Sequence, residues 1–183
     1  GGATRRAWSG AGGDANWQTA ANWGGAAPSA GDVLVFGNQP QKVSNNNFPA
    51  GTSFAGMHFT TGTFSNGYTF GGNQITLTGD VVNGATYGPN TAQTGPKLNM
   101  PIILSGDRQF NTGDWDMTVN GVVSGNGSLT KTHGRDYIRG SYDGGVHIGD
   151  LYLTNVNTYT GDTKVTGGAL FLANNSSSNS IAS

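Results

Sequence analysis

The chain has 183 residues, of which 32 are Gly, 21 Thr and 19 Asn; Glu and Cys are absent and the net charge is −1. Without Cys there is no disulfide framework and no thiolate chemistry, and nine Lys and Arg with no basic run leave no electrostatic footprint for nucleic acid or an anionic membrane. Leu, Ile, Val and Phe total only 34, a share that would suggest disorder at high net charge but not at −1, while scarce helix formers beside abundant Thr, Gly and Asn predict short strands and tight turns.

Residues 1–37 hold Trp8, Trp17 and Trp23, three of the four tryptophans, and a strand in Asp32-Val33-Leu34-Val35-Phe36-Gly37. Trp buries a large area, so these rings are expected to cap an open end of stacked strands. The alternative use is a platform on which sugars stack, formed by exposed Trp8, Trp17, Trp23 and Trp115. Residues 1–37 are thus read as an N-terminal cap segment with the first strand, and residues 38–183 as the body it covers.

From 38 to 109, strand candidates at 54–59, 63–64, 68–70, 74–78 and 98–104 alternate with Gly and Asn corners. The run Ile75-Thr76-Leu77-Thr78-Gly79-Asp80-Val81-Val82-Asn83-Gly84 is echoed, with one deletion, by Met117-Thr118-Val119-Asn120-Gly121-Val122-Val123-Ser124-Gly125, as expected of equivalent positions about two windings apart. Pro89, Pro96 and the polar run between Asn83 and Lys97 read as a loop that leaves the stack.

The densest pattern lies between 125 and 172. It runs Gly125-Asn126-Gly127-Ser128-Leu129-Thr130-Lys131-Thr132, then Leu151-Tyr152-Leu153, then Asn157-Thr158-Tyr159-Thr160-Gly161, Thr163, Val165, Gly168, Leu170 and Leu172. Alternating strands joined by tight corners describe one winding of a β-solenoid. The order resembles the autotransporter-associated β-strand repeat of large secreted bacterial surface proteins, and the N-terminal Trp segment resembles the first segment that often precedes such repeats in the mature protein. The resemblance implies an all-β, right-handed β-solenoid (β-helix) serving as a stalk, adhesin or passenger, with no catalytic residues to carry over. It implies an extracellular or cell-surface location. The opening Gly1-Gly2 and the lack of an apolar leader-length run fit an exported chain whose leader has been removed.

One departure from the repeat is an insertion at about 133–150. It gathers Arg135, Tyr137, Arg139 and Tyr142, residue types that supply interface contact area, and so reads either as a contact arm for a partner or second subunit or as a solvated hairpin.

Right-handed β-helices include polysaccharide lyases and hydrolases, so a polysaccharide-cleaving enzyme is a further reading, but it finds little support in the residues. Asp114 and Asp116 would share one strand face with Trp115 on the other, but turn carboxylates are commoner than catalytic ones in such Gly-Asp contexts. Asp107-Arg108 reads as a corner with a surface ion pair. His58, His133 and His147 are isolated, and no metal, nucleotide or nucleophile motif occurs. No catalytic residue, metal ligand or cofactor is expected.

The inward set is expected to be Val33, Val35, Phe54, Ile75, Leu77, Val119, Leu129, Leu151, Leu153, Val165, Leu170 and Leu172. The expected partner is the chain itself, stacked head to tail into a filament, or neighbouring repeats of the same protein. Surface glycans are a further expected partner, whereas nucleic acid and membrane insertion are not.

Overall fold

Strands this short cannot bury a face alone, so they must be stacked on others, and parallel stacking is what the chain adopts. The computed structural model describes residues 2–62, 67–85, 95–133 and 149–172. Among these, strands numbered β1 to β17 in chain order form three parallel sheets. The first face carries β1 (Arg5–Trp8), β2 (Val33–Phe36), β5 (Met57–Gly62), β8 (Val81–Ala85), β11 (Arg108–Asn111), β14 (Leu129–Thr132) and β16 (Thr163–Val165). The second carries β3 (Val43–Asn46), β6 (Thr69–Gly72), β9 (Lys97–Leu98), β12 (Met117–Val119), β15 (Leu151–Leu153) and β17 (Leu170–Leu172). The third carries β4 (Thr52–Phe54), β7 (Ile75–Leu77), β10 (Ile102–Leu104) and β13 (Val123–Gly125).

From β2 onward the chain visits the three faces in turn, so the protein is an all-β solenoid of about five turns, with one short 3₁₀ turn at Ala20–Trp23. Windings differ in length. On the first face Leu34 pairs with Met57, Met57 with Val81, Val81 with Phe110, Phe110 with Lys131 and Lys131 with Val165, steps of 23, 24, 29, 21 and 34 residues. Strand register is kept although the number of residues between paired strands varies. Among the described residues of the fifth winding no strand forms on the third face, but the Thr158 N–H still donates to the Val123 carbonyl at 2.8 Å.

Period-2 alternation turns every second side chain inward, and stacking lines these up as rows along the axis. The second-face row runs Ser44, Phe70, Leu98, Val119, Leu153, Leu172. On the third face Phe54, Leu77 and Leu104 form one row and Ile75, Ile102 and Val123 another, all fully buried. Each such side chain contributes roughly 1.5–3 kcal/mol by burial.

The corners need glycine for space. A Cβ on Gly127 would stand 2.0 Å from the Gly106 carbonyl oxygen, and one on Gly161 2.4 Å from that of Gly127, so consecutive windings touch backbone to backbone there.

Several expectations need correction. In β2 it is Leu34 and Phe36 that join the core cluster, while Val33 and Val35, although also buried, lie outside it on the other side of the strand, where Arg5 on β1 reaches across β2 to His58 on β5 (Nη1 to Nδ1, 3.0 Å). Val165 and Leu172 are 47% and 49% exposed and Leu170 is only partly buried. The echoed segments are not stacked equivalents. Ile75–Leu77 lies on the third face and Met117–Val119 on the second, so the echo repeats a strand–corner–strand unit one face out of phase. The 125–172 pattern spans more than one winding, since Leu129 already pairs with Thr163. Asp107 and Arg108 do not pair: Asp107 accepts from the Ser128 hydroxyl, and Arg108 reaches Asp80 and the Thr78 carbonyl.

Candidate functional site

The first end of the stack is closed. Trp8, Trp17 and Trp23 are 1%, 0% and 5% exposed. Their rings meet edge to face, Trp8 to Trp23 at 5.2 Å and Trp17 to Trp23 at 6.4 Å, and Trp17 and Trp23 continue onto Phe54 and Phe36 at 5.5 and 5.9 Å. Buried indole N–H groups need acceptors. Trp17 donates to the Ser44 hydroxyl at 2.7 Å, Trp23 to the Trp17 carbonyl at 2.8 Å, and Trp8 to the Gln41 carbonyl at 3.0 Å. Ser44 therefore occupies an inward position that is Phe or Leu in the next two windings because the cap's indole needs an oxygen there. The segment bearing these rings is pinned by Asn22, whose amide donates to Asp14 and to the Asn16 carbonyl, and by the Asn16–Asn45 bridge to β3.

With Trp115 at 4% exposure as well, none of the four indoles offers an open ring face. The sugar-stacking platform of exposed Trp8, Trp17, Trp23 and Trp115 is thus corrected: these rings hold the fold.

The second end is different. Among the described residues the last winding leaves Val165, Phe171 and Leu172 exposed by 47%, 41% and 49%, although Val165 and Leu172 continue rows that are buried in the windings before them. Phe171 lies flat on Tyr152 on the outer side of the second face, with centroids 4.9 Å apart and planes 11° apart.

Toward that end polar side chains enter the first-face rows, beside the fully buried Leu129, Leu151, Leu153 and Tyr159. Row by row on the first face, Phe36 and Phe59 give way to Asn83, and Met57, Val81 and Phe110 give way to Lys131. Lys131 is fully buried; its ammonium donates to the carbonyls of Thr132 (3.2 Å), Gly167 (2.8 Å) and His133. Thr112, buried in β11's following turn, donates to the Gly149 carbonyl at 2.5 Å and accepts the Asn83 amide on its own carbonyl at 3.1 Å. Asp116 accepts the Asp150 N–H at 2.9 Å, and Asp150, itself buried, accepts that of Ala169 at 3.1 Å. Burial holds the Asp116 carboxyl above the usual carboxylate range, opposed by the Asp150 N–H and reinforced by the Asp150 carboxylate. The Tyr152 phenol is raised by burial and by the same two carboxylates.

Asp114 and Asp116 do not share a strand face. They lie in the turn between β11 and β12, which Gly113 enters at φ 57°. Sequence reasoning missed Lys131 as an inward residue, although the alternation that buries Leu129 places it on the same side.

Between strands on the outer side of the first face lies an open groove of about 490 Å³, lined by Gln109 and Asn111 of β11, Thr132 and His133 at the end of β14, and Thr166 and Gly167 after β16. His133 has φ 54°, the one non-Gly residue in the left-handed region among the described residues. The contact-arm residues Arg135, Tyr137, Arg139 and Tyr142 lie outside the described residues, as does His147.

Comparison with protein-family models, curated proteins and solved structures finds no match to this chain.

Proposed function

We propose that this chain is a non-enzymatic structural segment of an exported bacterial surface protein, a rigid solenoid whose last winding is continued by another. The observation that carries this is a contrast among the described residues: the first windings are sealed by three indoles, and the last carries exposed apolar side chains that continue buried rows. The favoured continuation is a second copy stacked head to tail. β1 and β16 are the two outer strands of one parallel sheet, so a copy placed on β16 extends that sheet in the same direction through edge N–H and C=O groups. Neighbouring repeats of the same protein would fill the same place. A stalk or adhesin role and a surface location rest on the resemblance to the autotransporter-associated repeat.

A structural rather than catalytic role is supported by how the carboxylates are used. Asp14 accepts the Asn16 N–H, Asp32 that of Ser29, Asp80 that of Gln109, and Asp116 and Asp150 those of Asp150 and Ala169. These acids close turns or tie one winding to the next.

Sedimentation and electron microscopy of the intact chain and of a variant lacking residues 2–7, which removes most of β1, test the proposal. The intact chain should form linear stacks as its concentration rises, and the truncated one should remain a folded monomer. An intact chain that stays monodisperse at high concentration, or a truncated one that polymerises equally well, contradicts head-to-tail stacking.

A further inference from the structure

The groove on the first face is built from two costly features, and that is the reason to assign it a use. His133 is held in a backbone region that side chains disfavour, and such outliers persist only where the surroundings impose them. What imposes it is Lys131, a fully buried cation, whose ammonium takes the carbonyls of Thr132, His133 and Gly167, three of the six groove residues. Burying an ammonium is unfavourable unless its hydrogen bonds are met, and here they are met by the groove's own backbone. The same side chain thus ties the end of β14 to the segment after β16 and fixes the spacing of the groove walls.

The lining side chains are two carboxamides, two hydroxyls and an imidazole, without a carboxylate, ammonium or guanidinium among them. Such groups both donate and accept, and so match a ligand whose hydroxyls do the same, with no preference for net charge. Among the described residues Asn111 uses only its Oδ1, which accepts the Gly113 N–H at 2.9 Å, and its amide meets no acceptor there; Gln109 is exposed on the same strand. In register, Gln109 pairs with Thr130 and Asn111 with Thr132, so polar groups recur along the axis at about 4.8 Å per winding. An extended chain of sugars laid along the axis meets a new donor and acceptor at each step.

The geometry points to a binding groove for a neutral oligosaccharide, lined by Gln109, Asn111, Thr132, His133, Thr166 and Gly167 and held open by Lys131. This site is separate from the buried tryptophans, while its Thr166 and Gly167 directly follow β16, the strand on which the next copy would stack.

Residue-resolved amide shifts of the intact chain titrated with maltotetraose, cellotetraose and chitotetraose, and with tetragalacturonate as the anionic counterpart, test it. At least one neutral tetrasaccharide should shift the amides of Asn111, Thr132, His133 and Gly167. His133→Gly, which relieves the left-handed strain while keeping the carbonyl that Lys131 holds, should leave the melting temperature undiminished and raise Kd at least about tenfold; Gln109→Ala should weaken binding in the same direction. If His133→Gly fails to fold, the Gln109→Ala variant carries the test alone. Binding only of the anionic sugar, shifts centred on Tyr152 and Phe171 instead, no binding by any neutral probe, or Kd unchanged in folded variants each overturns the assignment.

Discussion

The two ends of the solenoid solve the same problem in opposite ways. At the N-terminal end the interior is aromatic: Phe36 alone touches Trp8, Trp23, Phe59, Tyr68 and Phe70, the last at 4.7 Å. From the middle of the stack toward the C-terminal end, Asn83, Thr112, Lys131 and Asp150 are buried and satisfied by backbone groups, and the last apolar side chains among the described residues stand exposed. The difference teaches that a stacked sheet does not need a uniform core. It needs each inward position matched by what lies above and below it. Where the neighbour is a ring, area does this; where it is a carbonyl, a donor does.

The largest effect should come from an apolar row that is covered on both sides. Leu153→Asp places an unpaired carboxylate in the row between Val119 and Leu172, at a site with no exposure, and should cost more than about 4 kcal/mol, seen as loss of the cooperative melt in circular dichroism. A variant that melts like the parent would remove Leu153 from the core. Next, the ends can be compared directly. Trp17→Ala should cost about 3–5 kcal/mol in chemical denaturation, because it empties the cap and strands the Ser44 hydroxyl, whereas Leu172→Ala should cost under about 1 kcal/mol. Equal costs would break the contrast.

Gly127→Ala tests the backbone contact between windings and should cost about 1–3 kcal/mol, since its Cβ would collide with the Gly106 carbonyl. The smallest effect is electrostatic. The Asp116 carboxyl is raised in the fold, so its contribution to stability is present below the ordinary carboxylate value and is lost as pH rises through the raised one. Asp116→Asn keeps an oxygen to accept the Asp150 N–H and should therefore melt above the parent at pH 7, with the gap closing below about pH 4. A gap that widens on acidification would reverse the assigned direction.

Much of the architecture was legible because Gly, Asn and Thr in this proportion leave few choices besides strands and corners. The tryptophan cap was legible too, since rings of that size beside an apolar strand have one economical place to go. Strand phase at β2 was not. Val33, Leu34, Val35 and Phe36 are all apolar, so alternation carries no signal, and only the pairing of Leu34 with Met57 decides which side is inward. β3 was overlooked because its inward residues, Ser44 and Asn46, look like turn residues; burial is tolerated because Trp17 uses the first, while the second donates to the Asn73 carbonyl and accepts the Phe48 N–H. The groove was out of reach, since it joins residues of three windings that no local pattern links, although the period-2 rule could have placed Lys131 inside. The turn at 112–116 was readable in principle from Gly113, yet the flanking Thr and Trp suggested a strand.

Residue-resolved hydrogen exchange on the dilute protein tests the contrast of closed and open ends most directly. Amides of β2, β5 and β8 should exchange by global opening and show the slowest rates, while those of β16 and β17 should exchange much faster by local fraying, and should slow as the concentration is raised and the next copy covers them. Protection in β16 and β17 equal to that in β5 in the dilute monomer would contradict the account.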